Sequence, residues 1–206
     1  MRVAMPTTPP APPALILAST SRYRRELLQR LRLPFEVEAP GVDEASLPGE
    51  TPKELALRLA VAKARAVSRR HPAAVVIGSD QVAELAGEAI GKPGDHPNAV
   101  RQLRRMSGQR VVFHTALAVV HEAAGFERVE IAPVVVRFRV LDETEIEHYL
   151  RAEQPYDCAG SAKSEGLGVA LLEAIDSDDP TALVGLPLIR TCAMLRAAGL
   201  DVLGAR

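Results

Sequence analysis

Aromatic residues and cysteine are scarce in this sequence. Phe, Tyr and Trp together make up 3% of the 206 residues and Trp is absent, so Ala, Val and Leu must fill most of the core. The two cysteines, Cys158 and Cys192, form no CxxC pair and have no histidine partners at zinc-ligand spacing. This usage argues against a disulfide framework and predicts two reduced, buried thiols.

The chain also lacks an excess of either charge and any long apolar run. Its 25 Lys and Arg residues nearly balance its 26 Asp and Glu residues. A nucleic-acid surface needs clustered positive charge to displace counterions, so this balance argues against one, although a local basic group is enough for one small anion. No apolar run approaches the roughly 20 residues that cross a bilayer. We therefore expect neither nucleic acid nor a membrane as a partner.

The N-terminal residues 1–13 are rich in Pro and Thr and lack the apolar stretch of a secretory signal. We expect a disordered tail over residues 1–13, one globular domain over residues 14–206, and a cytoplasmic location. A homodimer is left open, since no residue pattern supports one.

Hydrophobic periodicity predicts an alternation of strands and helices. Short apolar runs predict strands at residues 14–18, 73–77, 111–120, 131–140 and 169–174, and helical spacing predicts helices at residues 22–32, 97–106 and 186–198. Thr51-Pro52 and the pair Asp142 and Glu145 are typical starts of two further helices. Helices and strands alternate early in the chain, and adjacent strands dominate its middle. We predict an α/β fold with a mixed, twisted sheet flanked by helices, and two lobes around a cleft.

The first candidate site lies where the strand at residues 14–18 meets the following helix. The segment from Ser19 to Arg25 (STSRYRR) combines the free N–H groups and positive end of a helix with three basic side chains. Guanidinium groups match phosphate oxygens, so Arg22, Arg24 and Arg25 predict a phosphate site. The alternative is a capped, solvated first turn whose arginines only improve solubility.

A second candidate is the sequence GSDQ at residues 78–81, directly after a strand predicted to end at residue 77. Strand ends are where α/β sheets place ligand-binding groups, and the Asp80 carboxylate can bind a metal or take a proton from water. The alternative is a turn aspartate that binds local backbone donors. Lys92 strengthens the functional interpretation, because the sequence GKP presents its cation on a rigid turn.

Acidic and basic side chains elsewhere are candidates only in combination. Asp43 and Glu44 lie in a polar loop, and Lys63 lies on the helix that starts at Thr51-Pro52. Taken singly, each would be a surface residue. The predicted inner face of that helix carries Leu55, Leu59, Ala62 and Ala66. Because Lys63 follows this apolar series, we expect it at the inner edge of the helix.

Residues 157–168 (DCAGSAKSEGLG) form a segment rich in glycine and serine. Glycine permits close backbone approach and such loops often carry function, while a mobile surface connection is the alternative. The GxxxxGK[ST] order is absent, which argues against a P-loop ATPase. The acidic run at residues 176–179 lacks the remaining ligands of an EF-hand, so we interpret it as a solvated loop.

Nine segments of the chain resemble the Maf family of nucleotide pyrophosphatases and occur in the order of that family. They are LILASTS (15–21), RRxLL (24–28), VDE (42–44), RLA with KA (58–64), GSD (78–80), GKP (91–93), SG (107–108), CAGS (158–161) and VGLPL (184–188). One such piece means little, but nine in order are specific, and they span nearly the whole of residues 14–200.

The resemblance implies metal-dependent hydrolysis of a nucleoside triphosphate between its α and β phosphates, with release of the monophosphate and diphosphate. It implies that Asp80 is the proton acceptor and that Glu44 and Asp80 bind Mg²⁺ or Mn²⁺. Lys63 and Lys92 would act in catalysis by neutralising charge that develops on phosphate oxygens. The residues implied in substrate binding are Ser19, Arg24 and Arg25.

Three positions vary with the base that members of the family recognise, and here they are Tyr23, Gln81 and Glu165. Relatives that cleave dTTP and UTP typically have Arg, Thr and Gln there, whereas this sequence resembles a subgroup that acts on 7-methyl-GTP. An aromatic ring stacks well on a cationic methylated guanine, and a carboxylate accepts hydrogen bonds from guanine donors. Arg22 and Ala162 depart from the Pro and the aromatic residue usual beside that base pocket.

The expected function is therefore hydrolysis of 7-methyl-GTP. Two alternatives stay open: the same reaction on dTTP, UTP or another non-standard nucleotide, and a non-catalytic nucleotide-binding regulator of septum formation, to which the family name is tied. Asp80 and Glu44 favour the enzyme over the regulator, because a binding module needs no carboxylate that activates water.

Overall fold

The computed structural model describes residues 12–204, which contain seven β-strands and five α-helices. The strands are β1 (Leu15–Ala18), β2 (Glu36–Glu38), β3 (Val75–Leu85), β4 (Glu88–Ile90), β5 (Arg110–His121), β6 (Phe126–Phe138) and β7 (Leu172–Asp176). The helices are α1 (Arg22–Gln29), α2 (Pro52–Ser68), α3 (His96–Met106), α4 (Glu143–Glu153) and α5 (Leu188–Ala197). The disordered tail predicted for residues 1–13 lies, apart from its last two residues, outside the described residues.

One mixed sheet contains all seven strands, which confirms the predicted fold class. Its order is β2-β1-β3-β5-β6-β7, and β4 pairs with β3. The pairs β1–β2 and β1–β3 are parallel, and the other pairs are antiparallel. The long β5–β6 hairpin turns at Gly125, whose left-handed backbone conformation suits glycine.

The predicted helix starts are confirmed by their caps. The Thr51 side chain accepts from the Glu54 N–H while Glu54 reaches back to the Thr51 N–H, and Asp142 and Glu145 form the same reciprocal pair. These boxes satisfy N–H groups that have no partner within the helix. Among the helices of residues 12–204, none is long and apolar enough to cross a membrane.

The prediction that a strand ends before residue 78 was wrong, because β3 continues to Leu85. Antiparallel pairing with β5 keeps the polar residues in the strand, and Asp80 stands opposite Ala116. On the other edge of β3, β1 ends at the pair Ala18 and Gly78, and β4 pairs only from Ala83 onward. A gap in the sheet therefore lies beside Asp80.

One helix packs on one face of the sheet, and four helices pack on the other face. On one face, α2 packs its small residues Ala56, Ala60 and Ala64 against Val82 and the alanines of β5. On the other face the core is divided into a cluster beneath α1 and α5 and a second cluster beneath α3 and α4. Since side chains alternate along a strand, Asp80 faces α2 and its two neighbours face the opposite side.

The inner face of α2 differs from the predicted one. Its buried positions are Pro52, Ala56, Leu59, Ala60, Lys63, Ala64, Val67 and Ser68. Three of the four residues predicted for that face, Leu55, Ala62 and Ala66, are half-buried beside it. The reason is close packing: a Cβ added to Gly78 would lie 2.3 Å from the Ala60 carbonyl oxygen. Alanines permit this approach, whereas larger residues do not.

The strand predicted at residues 169–174 begins later than expected. A 3₁₀ helix occupies Leu167–Leu171, and β7 follows at Leu172–Asp176. The Arg139 N–H donates to the Leu171 carbonyl, and the guanidinium of Arg139 donates to the Ala170 carbonyl. These bonds fix the 3₁₀ helix in place of the first strand residues.

Candidate active site

A cleft of about 860 Å³ opens beside the gap in the sheet. Residues 19–24, the loop at residues 39–44 and the segment at residues 157–165 contribute to its walls. Its most buried polar residues are Ser19, Lys63 and Asp80, which as whole residues are 3%, 5% and 8% exposed. A cavity of this size and polarity suits a ligand as large as a nucleotide.

Lys63 connects the two predicted metal ligands. Its ammonium lies 2.7 Å from an oxygen of Asp80 and 2.7 Å from an oxygen of Glu44. The two carboxylates are therefore separated by no more than twice that distance. Asp80 comes from β3 and Lys63 from α2, while Glu44 comes from a loop and is more than half exposed. The structure thus brings together three residues from separate segments of the chain.

The charge balance around Glu44 favours its carboxylate form. Burial by itself raises the pKa of Glu44. The hydrogen bond and charge of Lys63, together with the positive charges of Lys92 and Arg24, outweigh burial, so the net pKa of Glu44 lies below its ordinary value. A cation-binding carboxylate is therefore available in neutral solution.

Arg24 is held at the start of α1 by backbone and hydroxyl groups. Its Nε donates to the Gly185 carbonyl at 2.9 Å, and a terminal nitrogen lies 3.5 Å from the Ser19 hydroxyl. Burial lowers the pKa of the Arg24 guanidinium, and the negative charges of Asp80 and Glu44 partly oppose that effect. Because arginine titrates far above neutrality, a fixed cation stands next to the two carboxylates.

The turn at residues 182–185 binds polar side chains on the opposite face of β3. The Gln81 amide nitrogen lies 2.9 Å from the Thr115 hydroxyl and 2.9 and 3.0 Å from the carbonyls of Ala182 and Leu183. The Ser79 hydroxyl lies 3.1 Å from the Gly185 carbonyl. The nitrogen of Gln81 is therefore occupied by the protein itself.

The interpretation of residues 176–179 as a solvated loop was wrong for Asp179. This residue is fully buried, and its carboxylate accepts hydrogen bonds from the Thr181 hydroxyl and the Arg190 N–H. The contacts anchor the start of the turn at residues 182–185, which in turn holds Arg24. A threonine two residues after an aspartate, typical of side-chain-stabilised turns, was the available signal.

Tyr23 lies at the rim of the cleft among charged neighbours. The Arg22 guanidinium lies 4.7 Å above its ring and also donates to its hydroxyl, which lies 3.3 Å from Asp157. Burial raises the pKa of Tyr23, and burial likewise raises the pKa of the Cys158 thiol to about 11. Both groups are thus neutral at pH 7. Cys158 and Cys192 are free thiols, but they are half-buried and not buried as predicted.

Of the three predicted site residues that remain, two line the cleft and one does not. Lys92 and Glu165 line the cleft, and both are exposed to solvent. Arg25 is also exposed, but it lines a separate, smaller cavity with Gln29 and Phe35. The structure therefore does not bring Arg25 to the cleft.

The loop that carries Glu44 is fixed by an ion pair that sequence reasoning missed. Arg58 on α2 donates to both oxygens of Glu50, at 2.6 and 2.9 Å, and to the Ala45 carbonyl at 2.8 Å. Glu50 also accepts from the Leu47 N–H. Arg58 belongs to a family-like segment, so its motif was visible, but nothing in the spacing indicated its partner.

Metal binding in the cleft would depend on the carboxylates of Glu44 and Asp80. Within the described residues, no group of three or more His, Cys, Asp or Glu side chains could hold a metal ion. The pair of Glu44 and Asp80 nevertheless fits Mg²⁺, which is usually bound through one or two carboxylates and takes its other ligands from substrate phosphates and water. The pair therefore suits a metal that binds together with a triphosphate.

The matches to known proteins cover all the residues that line the cleft. The model of the Maf-like protein family matches residues 14–198. A 7-methyl-GTP pyrophosphatase of Albidiferax ferrireducens is 66% identical over 191 residues, which covers 93% of this chain and 96% of the relative. Proteins of the same name from Polaromonas sp. and Bordetella pertussis are 68% identical over 199 residues and 59% identical over 195 residues. Those matches cover 97% and 95% of this chain, and 90% and 97% of the respective relatives.

Proposed function

This chain belongs to the Maf-like protein family, and we propose that it hydrolyses 7-methyl-GTP to 7-methyl-GMP and diphosphate. Relatives at 59–68% identity over nearly the full chain are named for that activity. The observation that carries the proposal is the contact of one buried ammonium, that of Lys63, with both Glu44 and Asp80. A cation and two carboxylates in one cleft are the groups that hydrolysis of a phosphoanhydride requires.

The basic side chains of the cleft bind the triphosphate. Arg24 stands at the N-terminus of α1, where backbone N–H groups also favour an anion. Lys63 and Lys92 approach from α2 and from the segment after β4. Their positive charge offsets the charge that accumulates on the phosphate oxygens as the anhydride breaks. Ser19, close to Arg24, adds a hydroxyl.

Asp80 is the base in this proposal. It accepts a proton from a water molecule whose oxygen bonds to the α-phosphorus. The bond between that phosphorus and the bridging α–β oxygen breaks, and the bridging oxygen leaves with the diphosphate. Glu44 and Asp80 would hold a divalent metal, Mg²⁺ or Mn²⁺, and such an ion would supply Lewis-acid polarisation of the phosphate oxygens. Lys63 keeps Asp80 oriented toward the cleft through the 2.7 Å contact.

The base of the nucleotide is read at the rim of the cleft. Tyr23 offers an aromatic ring to a cationic methylated guanine, and the Arg22 guanidinium, 4.7 Å from the ring centre, shows that the ring already binds a cation. Glu165 accepts hydrogen bonds from the guanine N1 and N2 donors and offsets the positive charge of the base. Gln81 lies deeper, where its amide nitrogen is bound to the turn at residues 182–185.

A nucleotide panel tests the proposed reaction. Diphosphate release is measured with 7-methyl-GTP, GTP, dTTP and UTP, each with Mg²⁺, with Mn²⁺ and with a chelator. We expect 7-methyl-GTP to have the highest kcat/KM and the chelator to abolish turnover. A higher kcat/KM for dTTP or UTP would replace the substrate assignment, and the absence of turnover on every nucleotide would reject the enzyme.

We also propose that the enzyme acts in the cytoplasm on free nucleotides and not on nucleic acid. The near-neutral charge balance supports this, because polymer binding needs an extended basic surface. A homodimer is the assembly to test, by sedimentation equilibrium over a range of protein concentrations. A mass that stays at one chain would reject it.

A further inference from the structure

Glu165, the proposed base-reading residue, sits in a tight turn. The Gly166 N–H donates to the Lys163 carbonyl at 3.0 Å, so residues 163–166 form a β-turn with Glu165 at its third position. The turn lies at the cleft rim, and the side chain of Glu165 is exposed. An exposed side chain on a turn recognises a base well only when the turn itself is held in place.

One side chain outside the cleft lining binds the first residue of this turn and the residue that follows the turn. The Glu153 carboxylate, at the C-terminal end of α4, accepts from the Lys163 ammonium at 2.6 Å through one oxygen. Its other oxygen accepts from the Leu167 N–H at 2.8 Å. Glu153 is 15% exposed, so solvent screens these contacts only in part. From the preceding turn of α4, the buried Tyr149 hydroxyl accepts from the Lys163 N–H at 3.0 Å.

Two glycines allow Glu153 and α4 to approach the turn this closely. A Cβ on Gly166 would lie 2.6 Å from a carboxylate oxygen of Glu153. A Cβ on Gly168 would lie 2.6 Å from the backbone of Lys163. Both positions therefore require the absence of a side chain if α4 and the turn are to approach this closely. The arrangement explains why the segment is rich in glycine although it is not a phosphate-binding loop.

We infer that Glu153 is a specificity-determining positioning residue, whose carboxylate holds the turn at residues 163–166 so that Glu165 faces the base. The inference rests on the proposed function of the cleft. It adds a residue that touches neither the phosphates nor the reacting atoms. Glu153 therefore acts on recognition of the base and leaves the hydrolytic step to Asp80.

Glu153→Gln tests the inference, because glutamine keeps the length of the side chain but loses the charge that binds Lys163 and that strengthens the hydrogen bond from the Leu167 N–H. We expect KM for 7-methyl-GTP to rise about tenfold, with kcat and the KM for UTP changed by less than about twofold. Glu143→Gln is the matched control: it removes an ion pair of the same kind, with Arg104 at 2.6 Å, from the first turn of α4. This control should leave all three values unchanged.

Two further measurements separate positioning from a general structural effect. In the Glu165→Gln background, Glu153→Gln should add no further rise in KM for 7-methyl-GTP, because the residue that it positions is already altered. In the nucleotide-free protein, the Leu167 amide should exchange its hydrogen about tenfold faster in Glu153→Gln than in the wild type.

The outcomes that overturn the inference are distinct from those that overturn the proposed function. Unchanged exchange at Leu167, an equal rise in KM for both nucleotides, or additive effects of the two substitutions would each reject the role of Glu153. A wild-type enzyme without preference for 7-methyl-GTP would instead reject the proposed substrate. The exchange measurement needs no nucleotide. It therefore tests whether Glu153 holds the turn, whichever nucleotide the enzyme prefers.

Discussion

The Lys63 ammonium and the Asp80 carboxylate are 2.7 Å apart although the two residues lie 17 positions apart in the chain. Both side chains are largely buried, at 6% and 11% exposure. A buried charge is costly unless it is paired, so each side chain offsets the desolvation of the other. The pair places a negative oxygen and a positive nitrogen side by side where the sheet opens into the cleft.

Asp80→Asn should abolish most of the activity while nucleotide binding survives. Asparagine keeps the shape of the side chain but cannot take a proton from water, so we expect kcat to fall by about 10²- to 10⁴-fold. Calorimetry with a non-hydrolysable α,β-methylene analogue should show a Kd within about fivefold of that of the wild type.

The matched control for that substitution is Asp43→Asn, which removes an exposed carboxylate from the loop that carries Glu44. Its kcat should stay within about twofold of the wild-type value. Wild-type turnover by Asp80→Asn would reject Asp80 as the base. A loss of binding that matches the loss of kcat would instead assign Asp80 to substrate binding.

Gly78→Ala should separate α2 from the sheet. The new Cβ would lie 2.3 Å from the Ala60 carbonyl oxygen and 2.5 Å from the Ala64 nitrogen, and neither backbone atom can move alone. Overpacking of this kind costs about 1–3 kcal/mol, which corresponds to a fall in Tm of about 3–10 °C for a chain of this length. Since Lys63 sits on the displaced helix, kcat should fall as well.

Calorimetric Tm values test the predicted destabilisation by Gly78→Ala, with Gly91→Ala as the control. An added Cβ at Gly91 meets nothing within 4 Å, so its Tm should stay within about 1 °C of that of the wild type. If the two variants melt at the same temperature, close packing of α2 on β3 does not set the position of Lys63.

Glu165→Gln should impair recognition of the methylated base more than that of uracil. A hydrogen bond to a charged group contributes about 1.5–3 kcal/mol, so we expect kcat/KM for 7-methyl-GTP to fall about 10- to 100-fold and that for UTP to change less than about threefold. Glu173→Gln, an exposed carboxylate on β7, provides the control for the change in net charge. Equal losses on both nucleotides would remove Glu165 from base recognition.

The helix caps and the alternating strands could be predicted from the sequence because they depend on local interactions. Thr51 with Glu54 and Asp142 with Glu145 bind each other within one turn, which confirms the helix start predicted at Thr51 and the capping box predicted for Asp142 and Glu145. The candidate residues on separate segments were also visible, since Asp80, Lys63 and Glu44 fall in segments that resemble one family.

What the sequence could not provide were interactions set by packing between distant segments. β3 continues through Asp80 because β5 lies beside it, and the polar residues at 78–81 look like a turn without that partner. Asp179 is buried because Arg190 and Thr181 surround it, whereas its acidic neighbours suggested solvent. β5 and Arg190 lie far along the chain from the residues that they bind, so a local pattern could indicate only the contact between Thr181 and Asp179.

Acid should release the loop that carries Glu44, and the titration of Glu50 reports that release. The hydrogen bonds from Arg58 and from the Leu47 N–H lower the pKa of Glu50 from 4.5 to about 2. Because the pKa is depressed in the folded state, the stabilising effect is complete above 4.5 and is lost as the pH falls toward 2. The carboxyl carbon of Glu50 should therefore titrate near 2 in the wild type by NMR.

Arg58→Met removes the hydrogen bonds of the guanidinium, which are the largest cause of this shift, and keeps an unbranched apolar side chain. The Glu50 midpoint should then move toward 4.5, and kcat/KM at neutral pH should fall about tenfold, because the loop no longer holds Glu44 beside Lys63. Arg104→Met, which breaks the surface pair with Glu143, should move neither value. A wild-type midpoint already at 4.5 would show that Arg58 does not bind Glu50 in solution, and the loop would then need another anchor.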